Sequence, residues 1–415
     1  MERVTANMTN FDMQYHLRRQ EDQLNKLQNQ MSSQSRIQEL RDDPIAAAHS
    51  TRYKSKITHL ERYSTNISRI QGNYRVAEGH LTQANDVLQR IRELAVQGAN
   101  GTYSKQELTY MGEEVNELLN ELVQIANGKN AEGKSLFAGT KVNSDAFRVL
   151  HGHAPGTNKE VITDVQYTGN IQRNKVEISE GESIEQNYLG NDVFWAEQNA
   201  VYSSVNATNY QVPEDTEIHI DGHSVSLKAG DNIHAIIEKI NNSPAAVKAE
   251  LDPVQQGLVI RSTDPHQLWL QDSEDTTVLQ DLGILSGGGM APPHNFADSA
   301  EVYGGSLFDM AINLRDNLYE GNTEQIGSSS LRGIDAAHDK LLSGIADIGA
   351  KDRRLDQTAS RISEEIPQVT ELDSKETDID LTKAITDLKM MEQTHQSALA
   401  TAGRILTKTL LDFLR

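Results

Sequence analysis

The chain is 415 residues long, 37% hydrophobic and free of cysteine, so it has room for two or three domains, while disulfide scaffolds and thiolate metal sites are excluded. A formal charge of −21 argues against partners built as dense phosphate arrays, nucleic acid included. Residues 1–130 carry 16 basic and 16 acidic side chains, so the acidic excess lies after Asn130 as a solvated surface.

The opening MERVTANMTNFDMQ has no basic segment followed by an apolar block, so a Sec-type signal is not expected. No run approaches the eighteen apolar residues of a membrane span, and membrane insertion is not expected either. Glycine is missing from the first 71 residues and the first proline is Pro44, which leaves that stretch free to be helical. Ala6, Met13, Leu17, Leu24, Leu27 and Met31 form a four-three stripe interrupted by Asn10 and Gln20, and Val4, Met8, Phe11 and Tyr15 are read as a second row widening it. In Arg41 to Ala48, Asp43 is placed to cap a new helix with Pro44 in its first turn.

That second helix carries the strongest pattern. Leu60, Ile67, Tyr74, Leu81, Leu88 and Ala95 recur every seventh residue, each of the first five followed by Tyr63, Ile70, Ala77, Ala84 or Ile91, which is a heptad seam. At 1.5 Å per residue the helix is roughly 65 Å long and needs a partner of similar length. Ile334, Leu341, Ile348, Leu355 and Ile362 repeat at the same spacing near the other end, with Ile345, Ala359 and Ile366 beside them. The two ends are therefore expected to lie side by side as one coiled coil.

Gly98, Asn100 and Gly101 break the first seam. Ser104 with Glu107 reads as a capping box for a third helix, antiparallel to the second and ending at Asn127-Gly128. Val161–Tyr167 and Lys175–Ile178 read as strands. Residues 155–293 hold seven of the nine prolines and both tryptophans. Within them Asp221-Gly222 predicts a two-residue hairpin, and Asp231 is the expected cap of a helix with Ile233, Ile236, Ile237 and Ile240 on one face. Val247–Leu251, Gly257–Thr263 and Leu268–Leu270 read as strands, and Ser286–Asn295 as a flexible exit. Helix resumes at Phe308–Asn322 and in the second seam from about Thr323; Ile366-Pro367 predicts a boundary. The last segment, from Asp378, carries Leu381, Ile385, Leu388, Leu399, Ala402, Leu406 and Phe413 in four-three register.

Several motifs, in order, resemble the flagellin superfamily. RDDPIAAA, LQRIRELAVQGANGTYS, EVNELLNELVQIAN and GKSLFAGT are similar to its N-terminal region, and LRDNLYEGN, ADIGAKDRRLDQ and DIDLTKAITDL to its C-terminal one. IHIDGHSVSL, DNIHAIIEKIN, GLVIRST and LQDLGI are similar to a small domain of flagellar hook-associated proteins, and with the ending LLDFLR the chain most resembles the hook-filament junction branch of that superfamily. The resemblance implies terminal segments paired inside a hollow tube, an outward insert, and export through the flagellar channel. It also implies a chaperone at the C-terminal region, and hook-associated protein 1, flagellin and further copies of the chain as axial partners. The implied location is the bacterial flagellum, external or periplasmic.

Other patterns weigh less. His151-Gly152-His153 has no third ligand nearby, and a tight Asp-Gly turn sets His219 and His223 on opposite faces, so no metal or cofactor is expected. The glycines at 287–289 lack the lysine of a phosphate loop, and no catalytic signature appears, so an enzyme is not expected.

The expected fold is mainly α with an α+β insert: a long coiled-coil helical bundle formed by the N- and C-terminal segments and a small α+β middle domain projecting outward. The expected domains are 1–43 with 378–415 for assembly, 44–180 with 300–377 as the coiled-coil bundle with a small β region, and the insert at 200–290. The assembly interface is expected at Met13, Leu17, Leu24, Leu27, Leu399, Leu406, Leu410 and Phe413, and the function to be an axial junction layer. The alternatives are a filament subunit, or an insert that binds glycan or hydrolyses a substrate.

Overall fold

The structure, a computed structural model, describes residues 6–406 except 157–158, 274–275 and 288–289, with side chains described between residues 11 and 403. The fold is mainly α with an α+β insert. Its described helices are α1 (Ala6–Ser33), α2 (Pro44–Ala99), α3 (Lys105–Ala126), α4 (Gly190–Val193), α5 (Ile233–Asn241), α6 (Val278–Asp281), α7 (Leu307–Glu320), α8 (Thr323–Gln325), α9 (Leu331–Thr377) and α10 (Leu381–Leu406). Two compact units divide the chain: residues 1–65 with 359–415, and residues 66–358.

In the larger unit every predicted position of the first seam from Ile67 to Ala95 is buried, and so are Ile334, Leu341, Ile348 and Leu355. The two rows run antiparallel. Gln71 donates to Asp356 at 2.6 Å near one end and Arg92 to Asp335 at 2.6 Å near the other. Between them, a Cβ at Gly344 would lie 3.7 Å from Leu81. A seven-residue apolar period on both helices produces this seam, but Ile345 is only half-buried. The Ser104–Glu107 capping box forms as expected and α3 returns along α2, with Arg90 and Glu114 paired at 2.7 Å.

Arg315 of α7 is wholly buried, donating to the Ile162 carbonyl at 2.6 Å, to Asn116 at 3.1 Å and to Asp316 at 2.7 Å. It ties α7 to α3 and to the strand that holds Ile162. A π-helical turn, Ile326–Ser330, joins α8 to α9; the seam prediction passed over it.

The strands are β1 (Phe147–His153), β2 (Glu160–Tyr167), β3 (Lys175–Ser179), β4 (Glu182–Glu185), β5 (Ala200–Tyr202), β6 (Thr216–Ile220), β7 (His223–Leu227), β8 (Val247–Leu251), β9 (Leu258–Ser262), β10 (Leu270–Asp272) and β11 (Glu301–Tyr303). β1-β2 and β3-β4 are separate pairs; the insert has a three-stranded sheet, β10-β6-β7, and a four-stranded one, β11-β5-β9-β8. One apolar cluster, with Val201, Ile218, Ile236, Ile260, Leu270 and Leu279 among its members, fills it. The β6-β7 turn has Asp221 and Gly222 at φ 49° and 78°, the left-handed pair that a type I′ turn requires.

Three local expectations need correction. The cap of α5 is Asn232, which accepts from Ala235 N at 3.0 Å, because Asp231 is spent one residue earlier closing a turn on Lys228 N at 2.7 Å. The third insert strand starts at Leu270, not Leu268, since the amides of Leu268 and Trp269 go to the Asn199 and Asp221 side chains. The Ser286–Asn295 stretch is closed at its base rather than a free exit. Ser286 N meets Asn295 O at 2.8 Å, and buried Asn295 donates to Leu270 O at 2.9 Å.

Candidate assembly interface

The smaller unit holds the residues expected to meet other subunits. Asp43 caps α2 as expected, accepting from Ala46 N at 3.1 Å. The reversals before α2 and after α9 are stitched together. Arg36 N donates to Thr377 O at 2.7 Å, Arg36 Nη2 to Glu376 O at 2.9 Å, and Ile379 N to Gln34 O at 3.2 Å. Gln34 takes a left-handed φ of 54° to make that turn. Asp42 anchors the near side. Its hydrogen bond from Lys26 at 2.6 Å, with those from the Gln38 and Glu39 amides, lowers its pKa to about 2.

Between the reversals, α2 and α9 pair antiparallel in this unit too. His49 lies 3.3 Å from Glu376, Lys54 4.0 Å from Asp373 and Lys56 2.5 Å from Glu365, around buried Leu60, Tyr63, Ile362 and Val369. This packing overrides the boundary expected at Ile366-Pro367. Pro367 lies inside α9, flanked by the buried Ile362 and Val369. The carbonyl that proline leaves without a helical donor belongs to Ser363, an exposed residue. Ala359 and Ile366 are half-buried.

From the stitched turns α1 and α10 leave as an antiparallel hairpin, with Ser35 bridged to Asp378. Met13, Leu17, Leu24 and Leu27 are half-buried, and so are Leu388 and Met391, while Ala384 and Ala402 are buried. The small side chains of α10 admit the larger ones of α1. Two polar atoms within this layer, Gln20 Oε1 and His395 Nδ1, are buried without a hydrogen-bond partner.

The hairpin leaves apolar surface outside it. Leu399 is 49% exposed, with Leu381 at 45% and Ile385 at 44% along the same flank of α10. At 100° per residue these three sit on one side of the α10 stripe and Ala384, Met391, Ala398 and Ala402 on the other. Phe11 and Tyr15 do not widen the α1 stripe as expected. They fall on the opposite side of α1 and are 76% and 64% exposed, because a spacing of two residues from Met13 turns a side chain through about 200°. The Leu406, Leu410 and Phe413 side chains lie outside the described residues, as do those of Val4 and Met8. The sequence signal for the exposed flank was present in the four-three row; that for the Arg36–Glu376 stitch was not.

The other singled-out residues do not converge. His151 and His153 lie exposed on β1, and His219 pairs with Ser224 while His223 pairs with Ile220. Asp221 instead joins a cluster that sequence reading missed: it lies 3.0 Å from His266 Nε2, and Asp264 lies 3.3 Å from Nδ1. Burial pulls the His266 pKa down, but hydrogen bonds to the two carboxylates outweigh it and raise it to about 10. Among the described residues no group of three or more His, Cys, Asp or Glu side chains is placed to hold a metal ion, and no helix is long and apolar enough to cross a membrane.

Residues 4–142 match the bacterial flagellin N-terminal helical region and residues 215–264 the flagellin hook IN motif. Flagellin FlaB1 of Treponema pallidum is 35% identical over 29% of this chain, a stretch that spans 43% of the relative's own length. Flagellin A of Vibrio cholerae is 26% identical over 97% of each chain. The flagellar hook associated protein-3 of Legionella pneumophila aligns with 78% of this chain and 97% of its own at 18% identity and a TM-score of 0.46. The hook IN match covers the β6-β7 hairpin, α5, β8 and β9, and the N-terminal match covers α1 to α3. These two regions carry flagellin-family sequence.

Proposed function

We propose that the chain is a non-enzymatic axial subunit of the bacterial flagellum, and within it the junction layer between hook and filament. The observation that carries this reading is the hairpin of α1 and α10, which leaves Leu381, Ile385 and Leu399 open along one flank and Phe11 and Tyr15 along another. Apolar rows of this kind on terminal helices are surfaces for other subunits. Met13, Leu17, Leu24, Leu27, Leu399, Leu406, Leu410 and Phe413 are the residues assigned to assembly, the four of α1 half-buried beside α10 and Leu399 on the open flank. Hook-associated protein 1, flagellin and copies of the chain itself are the assigned neighbours, with an export chaperone holding the C-terminal region before assembly. The assigned location is the flagellum, reached through its export channel.

The division of labour that fits this role is assembly by 1–43 with 378–415, a coiled-coil bundle from 44–180 with 300–377, and an insert over 200–290. The test is imaging of cells that lack the protein. Hooks without filaments, and filament protein lost to the medium, are expected; normal filaments overturn the junction role. The second reading, a filament subunit, is favoured by relatives named flagellin that align along 97% of the chain. Purified protein that polymerises alone into long filaments selects that reading over the junction layer.

A further inference from the structure

The four-stranded sheet of the insert has two outer strands, β8 and β11, and the direction of their backbone groups follows from its hydrogen bonds. Ser203 N donates to Leu258 O and Ser262 N to Asn199 O, so Asn199, Ser203, Leu258 and Ser262 turn their polar groups to the β5-β9 seam. Alternation turns those of Ala200 and Tyr202 toward β11 and those of Val259 and Arg261 toward β8. Their partners, Tyr303 and Glu301 on one side and Glu250 and Lys248 on the other, face inward. Val302 and Ala249 therefore present N–H and C=O outward.

The two edges are treated differently. Ala249 is closed by the side chain of Asn241, whose Nδ2 donates to Ala249 O at 3.0 Å and whose Oδ1 accepts from Ala249 N at 2.7 Å. An amide used this way blocks strand addition. Val302 has no such cover among the described residues, and all three β11 side chains are exposed, Val302 at 44% and Tyr303 at 54%. On its face Val302 borders a hollow with Trp195, Pro293 and Phe296. On the other face Glu301 and Tyr303 border one with Tyr202 and Asp252. The nearby cation, Arg261, is committed to Glu250 at 2.9 Å and the Tyr202 hydroxyl at 2.6 Å, so the second hollow is acidic.

We propose that β11 is a docking edge for an extended basic strand of another polypeptide, with an apolar residue opposite Val302 and Lys or Arg on either side of it. Backbone groups of the strand pair with Val302, its apolar side chain enters the Trp195–Phe296 hollow, and its cations meet Glu301 and Asp252. A second copy of this chain is a poorer occupant, because it brings acidic surface against acidic surface on a chain of net charge −21. The inference does not depend on the flagellar reading.

The test is fluorescence anisotropy of a dye-labelled peptide of alternating lysine and valine with the full chain. Saturable binding is expected. Methylating the central valine nitrogen of the peptide should weaken it about tenfold, the loss of one edge hydrogen bond. Val302→Pro should do the same with an unchanged circular dichroism spectrum, and Glu301→Lys should weaken binding further. Absence of saturable binding overturns the proposal, as does equal affinity for the N-methylated peptide, which requires no protein variant to fold. Self-association of the full chain that Val302→Pro abolishes also overturns it and gives the edge to a second copy.

Discussion

Leu341 and Leu399 are both leucines in apolar helical rows, and the structure separates them. Leu341 on α9 is fully buried in the seam, whereas Leu399 on α10 is 49% exposed. Truncating Leu341 to alanine removes a buried side chain and leaves a cavity, which costs about 2–5 kcal/mol. Leu399→Ala removes a side chain that is already half in water; against ~1.5–3 kcal/mol for full burial, its loss is about 1 kcal/mol. By thermal unfolding, Leu341→Ala should lower the midpoint by on the order of 5–10 °C, taking ~2–4 °C per kcal/mol for a unit of this size, and Leu399→Ala by only about 2 °C. In cells the order reverses. Leu399→Asp should fold yet fail to enter the axial structure, read as loss of the protein from sheared appendages at normal export. A Leu399→Ala midpoint shift as large as that of Leu341→Ala would refute the assignment of Leu399 to an open flank. Undiminished incorporation of Leu399→Asp would refute its role in assembly.

Pro367→Ala restores a donor inside α9 and should stabilise the terminal unit by up to about 3 kcal/mol, seen as slower proteolysis of that unit; faster proteolysis would mean the proline is required there. Arg315→Met strands the Ile162 carbonyl and the Asn116 and Asp316 side chains and should cost about 3 kcal/mol or more, measured as a lowered denaturant midpoint of the larger unit. His266 is raised from 6.5 to about 10 in the folded insert. Its stabilisation is therefore complete below pH 6.5 and lost as pH rises through about 10. Thermal midpoints between pH 6 and 10 should fall in the wild type and fall less in His266→Gln; parallel curves for the two would remove the histidine from the explanation.

The long helices were legible because their apolar period is strict. From Leu60 to Ala95 the row is uninterrupted, and each position is buried. The hairpin at Asp221-Gly222 and both ends of α3 were legible for a similar reason: the turn, the Ser104 box and the Asn127 end are set by residues within four positions of one another. Pro367 was misread because a local rule met a long-range constraint, the pairing of α9 with α2 on both sides of the proline. Leu268 and Asp231 were misread because their backbone or side-chain bonds go to partners, Asn199 and Lys228, that strand and cap patterns do not register. The Asp221–His266–Asp264 cluster brings together residues up to 45 positions apart, and no period or motif links them.

The exposed flank of α10 follows from geometry. A helix in a two-helix hairpin covers one side of its neighbour, and the four-three row on α10 is broader than that side: Ala384, Met391 and Ala402 occupy the contact while Leu381, Ile385 and Leu399 remain beyond it. A third helix would close the gap, as α9 and α3 do for α2 in the larger unit. Instead the stitch from Arg36 to Thr377 and Glu376 fixes where the hairpin begins, and with it the point from which the uncovered flank of Leu381, Ile385 and Leu399 runs. Loosening the base by Arg36→Ala leaves every flank residue intact, so its effect on incorporation separates presentation of the surface from its composition. A loss of incorporation at unchanged export assigns the stitch to assembly; normal incorporation assigns it to folding of the terminal unit alone.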